Sequence, residues 1–121
     1  MTLLQIHAAL ANSVLIFSVI LGLYGLFLYV RKQGVSSSYW GALAIGEILY
    51  LTQGVVGVIL YFAGDSPGRW VHILYGILSI ITLPALFAFT RGREDRQVTL
   101  SYGLIGLFLG GVAIRAITTA R

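Results

Sequence analysis

The chain has 121 residues, of which 58% are hydrophobic and only 10% charged, with a formal net charge of +4 and no cysteine. That composition excludes an ordinary water-solvated domain, and its solvent must be largely lipid. The absence of cysteine excludes disulfides and thiolate chemistry, and the basic residues lie at the ends of apolar runs with no continuous stripe, which excludes nucleic-acid binding.

A backbone in hydrocarbon must satisfy its own polar groups, and a spanning helix takes roughly twenty apolar residues. Four runs meet that length: Ala8 to Val30, Tyr39 to Phe62, Trp70 to Thr90 and Val98 to Thr118. The expected architecture is all-α: an integral membrane four-helix bundle, up-down-up-down with short loops, forming one domain over 1–121. Its helices are expected near 4–30, 39–62, 70–90 and 98–118. The opening Met-Thr-Leu-Leu-Gln-Ile-His lacks the basic stretch of a secretory signal, so the first run is read as part of the mature protein.

The first helix carries His7 and then a stripe of Ala11, Ser18, Gly22 and Gly25, spaced to share one face. Small residues in lipid permit close backbone approach, so this stripe is read as a packing seam with His7 continuing it inward. Arg31 and Lys32 follow, and Gly34-Val35-Ser36-Ser37-Ser38 reads as the turn.

The second helix opens with Tyr39 and Trp40, read as headgroup-level anchors. Its stripe runs through Ala44, Gly54 and Gly57, and it holds Glu47, the costliest residue in the chain to place in hydrocarbon. Glu47 needs a partner or a proton, and its stripe points it toward the bundle. A hydrogen-bonded packing role and a proton or substrate role stand at even weight. Gln53 reads as interhelical glue, and together with Glu47 as a possible proton or quinone site.

A turn at Gly64-Asp65-Ser66-Pro67-Gly68 leads to Trp70, an anchor at the opposite face, and to His72. His72 precedes Gly76 by four residues and Ser79 by seven, which puts it on the smaller, more polar face of the third helix. Pro84 removes one backbone bond there, and Thr82 is expected to help satisfy the freed carbonyl. The fourth helix carries Gly103, Gly106 and Gly110, the last two in GxxxG spacing, and Arg115 near its end.

Loops 31–38 and 91–97 carry Arg31, Lys32, Arg91, Arg93 and Arg96, against Arg69, Arg115 and Arg121 on the other side. Five against three places both loops in the cytoplasm and both termini outside.

His7 and His72 are the only histidines. The first and third helices run in the same direction, so both imidazoles are expected at one level near the outer ends, facing one another. Each isolated histidine reads as a wetted interfacial side chain; the pair reads as two ligands to the metal of a flat tetrapyrrole, with Gly54 and Gly57 leaving room for the ring and Arg115 available to a propionate. Arg115 shares a face with Phe108 and Gly111, away from the glycine stripe, which also suits snorkelling to headgroups. A bare zinc site is disfavoured, because zinc takes three or four protein ligands.

This placement of His7 and His72 on parallel helices, with Gly54, Gly57 and Gly76 nearby, resembles that in small b-type membrane cytochromes and the half-bundles of haem A synthases. The resemblance lies in the arrangement alone. It implies haem b held by His7 and His72 and electron transfer near the outer face to a quinone or partner protein, with one histidine pair only. A magnesium tetrapyrrole is compatible with the same ligands. The expected role is an electron carrier or complex subunit more than a stand-alone enzyme.

Two other readings stand beside it. An accessory or assembly subunit of a respiratory or photosynthetic membrane complex would use GxxxG seams to bind partner helices, or a second copy of the chain. A small four-helix transporter would use Glu47; here it departs from the small multidrug exporters, whose glutamate lies in the first helix.

Overall fold

The computed structural model describes residues 2–64 and 70–119. The chain folds into four helices: α1 (Leu3–Val30), α2 (Ser37–Phe62), α3 (Val71–Phe89) and α4 (Arg96–Thr119). All four are long and apolar enough to cross a membrane. Most of the expected turn between the second and third helices, together with Arg69 and Arg121, lies outside the described residues.

Local chemistry extends the helix starts beyond the apolar runs. Thr2 caps α1 in a reciprocal capping box with Gln5, which satisfies two backbone donors that a helix start leaves free. Ser36 caps α2 by accepting from Tyr39 N, so Ser37 and Ser38 belong to the helix and not to the turn. Asp95 Oδ1 accepts from Val98 N at 3.0 Å at the start of α4.

The stops of α1 and α3 share one device. Gln33 N reaches Leu28 O and Lys32 N reaches Tyr29 O, while Gly92 N reaches Phe87 O and Arg91 N reaches Ala88 O. Both are Schellman closures, with Lys32 at φ 59° and Arg91 at φ 55° where glycine is usual. A cation beside the last carbonyls offsets part of the left-handed strain.

Neighbours run α1, α2, α3, α4 around the bundle, with α1 and α4 closest and α2 and α3 the loosest adjacent pair. Helices α1 and α3 are diagonal. The α1–α4 seam is backbone on backbone: a Cβ built at Gly106 would lie 2.6 Å from Gly22 N, and one at Gly25 would lie 2.7 Å from Gly103 Cα. The glycine stripes on the first and fourth helices thus face each other. Gly110 meets Val19, so the Gly106–Gly110 spacing is spent within the chain and offers no open seam to a partner helix.

Above that seam, Ser18 Oγ and Tyr50 Oη share a buried hydrogen bond of 2.6 Å between α1 and α2. Tyr39 is fully buried and its hydroxyl donates to Leu21 O at 2.9 Å, so it locks α2 to α1 and is no headgroup anchor. Trp40 also turns inward, edge-on to Phe87 and Tyr102. Trp70, by contrast, is 73% exposed, as an anchor requires.

The two connections touch at the loop end. Val35 N donates to Glu94 O, Thr99 Oγ1 to Gln33 O, and Arg96 Nε to Tyr29 O with its guanidinium over the Tyr29 ring. Helix α3 continues through Pro84, and Thr82 Oγ1 donates to Leu78 O; the carbonyl freed by the proline belongs to Ile80, so Thr82 does not serve it.

Candidate functional site

At the terminus end, α1 brings His7 and α3 brings His72 across the bundle diagonal. Their ring centroids lie 6.2 Å apart with the planes at 77°. Both side chains are half-buried and turned inward.

The helices beside them hold the His72 imidazole by its ring and His7 by its backbone. His72 Nδ1 lies 2.7 Å from Ala116 O on α4. A carbonyl only accepts, so Nδ1 carries the hydrogen, and in the neutral ring Nε2 is left with a bare lone pair. On the other side, Gln53 Nε2 donates to His7 O at 2.8 Å, tying α2 to α1 at this level. His7 Nδ1 and Gln53 Oε1 are both buried without a hydrogen-bond partner. These two atoms belong to side chains that lie side by side, so Gln53 and His7 form one polar contact between α2 and α1.

Gly57 supports His7 directly. A Cβ there would lie 3.3 Å from His7 Cε1 and 3.9 Å from Nε2, so the glycine is what lets the ring tip rest against α2. The other glycines assigned to a macrocycle do not line the pair. The space at Gly54 is occupied by Ile80 Cδ1, at 2.6 Å from a built Cβ, because α3 packs into that notch; Gly76 is exposed, with nothing within 4 Å of a built Cβ. Arg115 is exposed one residue before Ala116, at the level of the pair.

Gln53 and Glu47 part company. Six residues of helix separate them, about 9 Å of rise, and Gln53 belongs to the histidine cluster. Glu47 instead lines a cleft of about 220 Å³ between α2 and α3 with Trp40, Ala44, Pro84, Phe87 and Tyr102. Ala44 is exposed, so this face of α2 looks outward beside α3 and not into the bundle centre. Of the cleft residues, Trp40 is the one that sequence reasoning read as a headgroup anchor, and Tyr102 is one it did not single out.

Two imidazoles are the nitrogen donors that the fold brings together here. A metal–imidazole bond is about 2 Å and the ring centre lies about 1 Å further back, so two rings aimed at one ion have centroids roughly 6 Å apart. Among the described residues no group of three His, Cys, Asp or Glu side chains forms, which leaves a bare ion short of ligands. A tetrapyrrole, which brings nitrogen ligands of its own, would ask only His7 and His72 of the chain.

No protein-family model matches the chain, and neither the curated proteins nor the solved structures contain a match to it. The class that the fold defines is a small four-helix protein with four candidate transmembrane helices.

Proposed function

We propose that the chain is an integral membrane electron-transfer protein that binds one haem b through His7 and His72. The observation that carries this reading is the 6.2 Å approach of the only two imidazoles across diagonal helices. Haem b held there would supply a one-electron iron couple. The chain's own residues do the rest. Ala116 O holds the His72 ring with Nε2 available, Gln53 secures the backbone at His7, and Gly57 gives the His7 ring its space. Arg115, in the same turn of α4 as Ala116, would be the residue to meet a propionate in this reading.

Both termini are placed outside and both short loops in the cytoplasm in this reading, because Arg31, Lys32, Arg91, Arg93 and Arg96 gather at one end of the bundle. The histidine pair then lies toward the outer face. The chain has no native cysteine, so single cysteines introduced at Thr118 or Glu94 and probed from each side of sealed vesicles read the orientation directly.

The test is spectroscopic. Protein expressed with haem supplementation is expected to purify with a Soret band and one haem per chain. His7→Ala and His72→Ala are each expected to lose that band, with added imidazole restoring part of it to His72→Ala. Gly57→Val, which crowds the His7 ring, is expected to weaken haem binding at least tenfold. A preparation with no Soret band after supplementation, or one whose band survives the double histidine replacement, refutes the proposal. Fluorescence from a bound magnesium tetrapyrrole would redirect it to that macrocycle.

A further inference from the structure

The contact between Gln53 and His7 fixes which way round the Gln53 amide lies. Gln53 Nε2 sits 2.8 Å from His7 O, and a backbone carbonyl only accepts, so the group turned toward it is the NH2. The reversed amide would set two carbonyl oxygens against each other. Gln53 Oε1 therefore points elsewhere, and it is buried without a hydrogen-bond partner. The ring beside it is the His7 imidazole, whose Nδ1 is likewise buried and unpaired.

An amide oxygen is an acceptor only, whereas an imidazole nitrogen donates or accepts according to which nitrogen carries the hydrogen. With the hydrogen on Nε2, Gln53 Oε1 and His7 Nδ1 are two acceptors side by side, both shut away from water. With the hydrogen on Nδ1, one contact answers both atoms. Unanswered buried polar atoms are destabilising, so the fold selects the second tautomer. Gly57, one turn further along α2, meets His7 Cε1 and Nε2 and has no side chain to compete for the ring.

His72 reaches the same state by a different route, through Nδ1 and Ala116 O on α4. Each of the two rings then has Nε2 as its bare nitrogen. Two bare nitrogens cannot hydrogen-bond to each other, but both can give a lone pair to a metal centre. Hydrogen bonds to the far nitrogen of a ligating histidine orient its ring and raise its basicity.

We propose that Gln53 is a positioning residue for the histidine pair: it holds His7 in the Nδ1–H tautomer, so that His7 and His72 both offer Nε2 as an electron-pair donor. The purpose of this arrangement rests on the haem reading, whereas the tautomer belongs to the chain without haem.

The test uses the full haem-free chain, made with isotope-labelled histidine and without a polyhistidine tag. Long-range proton–nitrogen NMR in bicelles, at a pH where both rings are neutral, separates protonated from bare ring nitrogens. His7 and His72 are the only histidines, and His72→Phe assigns the two sets of signals. Both residues are expected as Nδ1–H tautomers. Gln53→Leu is expected to abolish the single Nδ1–H state at His7 and to leave it intact at His72, which Ala116 O still holds. Gln53→Glu, whose protonated carboxyl still accepts from Nδ1–H and donates to His7 O, is expected to keep the wild-type pattern. His7 found as the Nε2–H tautomer in the wild-type chain, or held wholly as Nδ1–H in Gln53→Leu, overturns the proposal. The wild-type spectrum decides even where Gln53→Leu does not fold. A chain with both Nδ1–H tautomers but no Soret band after supplementation refutes haem binding and leaves the role of Gln53 standing; a haem-binding chain whose apo form carries His7 as Nε2–H does the reverse.

Discussion

Replacing Gly106 by alanine tests whether the α1–α4 seam organises the bundle. The added Cβ would lie 2.6 Å from Gly22 N, 2.7 Å from Gly22 Cα and 3.2 Å from Leu21 C. Optimal contacts between nonbonded heavy atoms fall near 3.5–4.0 Å, so the two backbones must part by about 1 Å. No side chain can rotate out of the way, since all three neighbours are main-chain atoms. Parting the helices also loosens the next contact, where Gly25 and Gly103 meet at similar range. Overpacking of this kind costs roughly 1–3 kcal/mol. Alanine also improves helix propensity by up to about 1 kcal/mol, and that gain must be removed from the comparison. Gly76→Ala and Gly111→Ala do so, because a Cβ at either position meets nothing within 4 Å. Reversible unfolding in bicelles should therefore show Gly106→Ala less stable than either control by about 1–3 kcal/mol. Equal stability of the three variants would refute a backbone-limited seam.

Two further predictions concern polar contacts. Ser18→Ala and Tyr50→Phe each leave one buried hydroxyl unpaired, and their double-mutant cycle is expected to show coupling of about 0.6–1.7 kcal/mol, the range for interhelical bonds in membranes; additive losses would mean that the 2.6 Å contact contributes nothing as a pair. Asp95→Ala is expected to destabilise α4 by about 0.5–2 kcal/mol through loss of the cap on Val98 N, whereas Asp95→Asn keeps the cap and costs little. Equal losses in the two variants would assign the effect to the Arg93–Asp95 ion pair, whose side chains are 60% and 50% exposed and which is expected to add little.

Several features of the candidate sites were legible before any coordinates. The depth of His7 and His72 follows from residue counting along antiparallel helices, and the structure brings the two rings within 6.2 Å. The stripe of Gly22 and Gly25 and that of Gly103 and Gly106 were readable as seams; that each is the other's partner was not, because spacing along one helix says which residues share a face and nothing about which helix covers it. Glu47 shows the same limit. It shares a stripe with Gly54, yet Gly54 receives Ile80 from α3 while Ala44 opens outward, so the stripe winds from a contact into a cleft. Tyr39 and Trp40 read as headgroup anchors from composition, but the short first connection draws α2 close enough to α1 and α4 to bury the phenol and to hold the indole against Tyr102.

Hydrophobic run length alone determined the number of helices and their extent to within a few residues, each long and apolar enough to cross a membrane. The rotation of each helix about its axis was decided only in the assembled bundle. Most side chains here are apolar all round, so no strong polar face sets that rotation in advance. Backbone contact at the glycine seam sets it for α1 and α4, and their positions then determine that Gln53 joins the histidines while Glu47 faces the aromatic cleft.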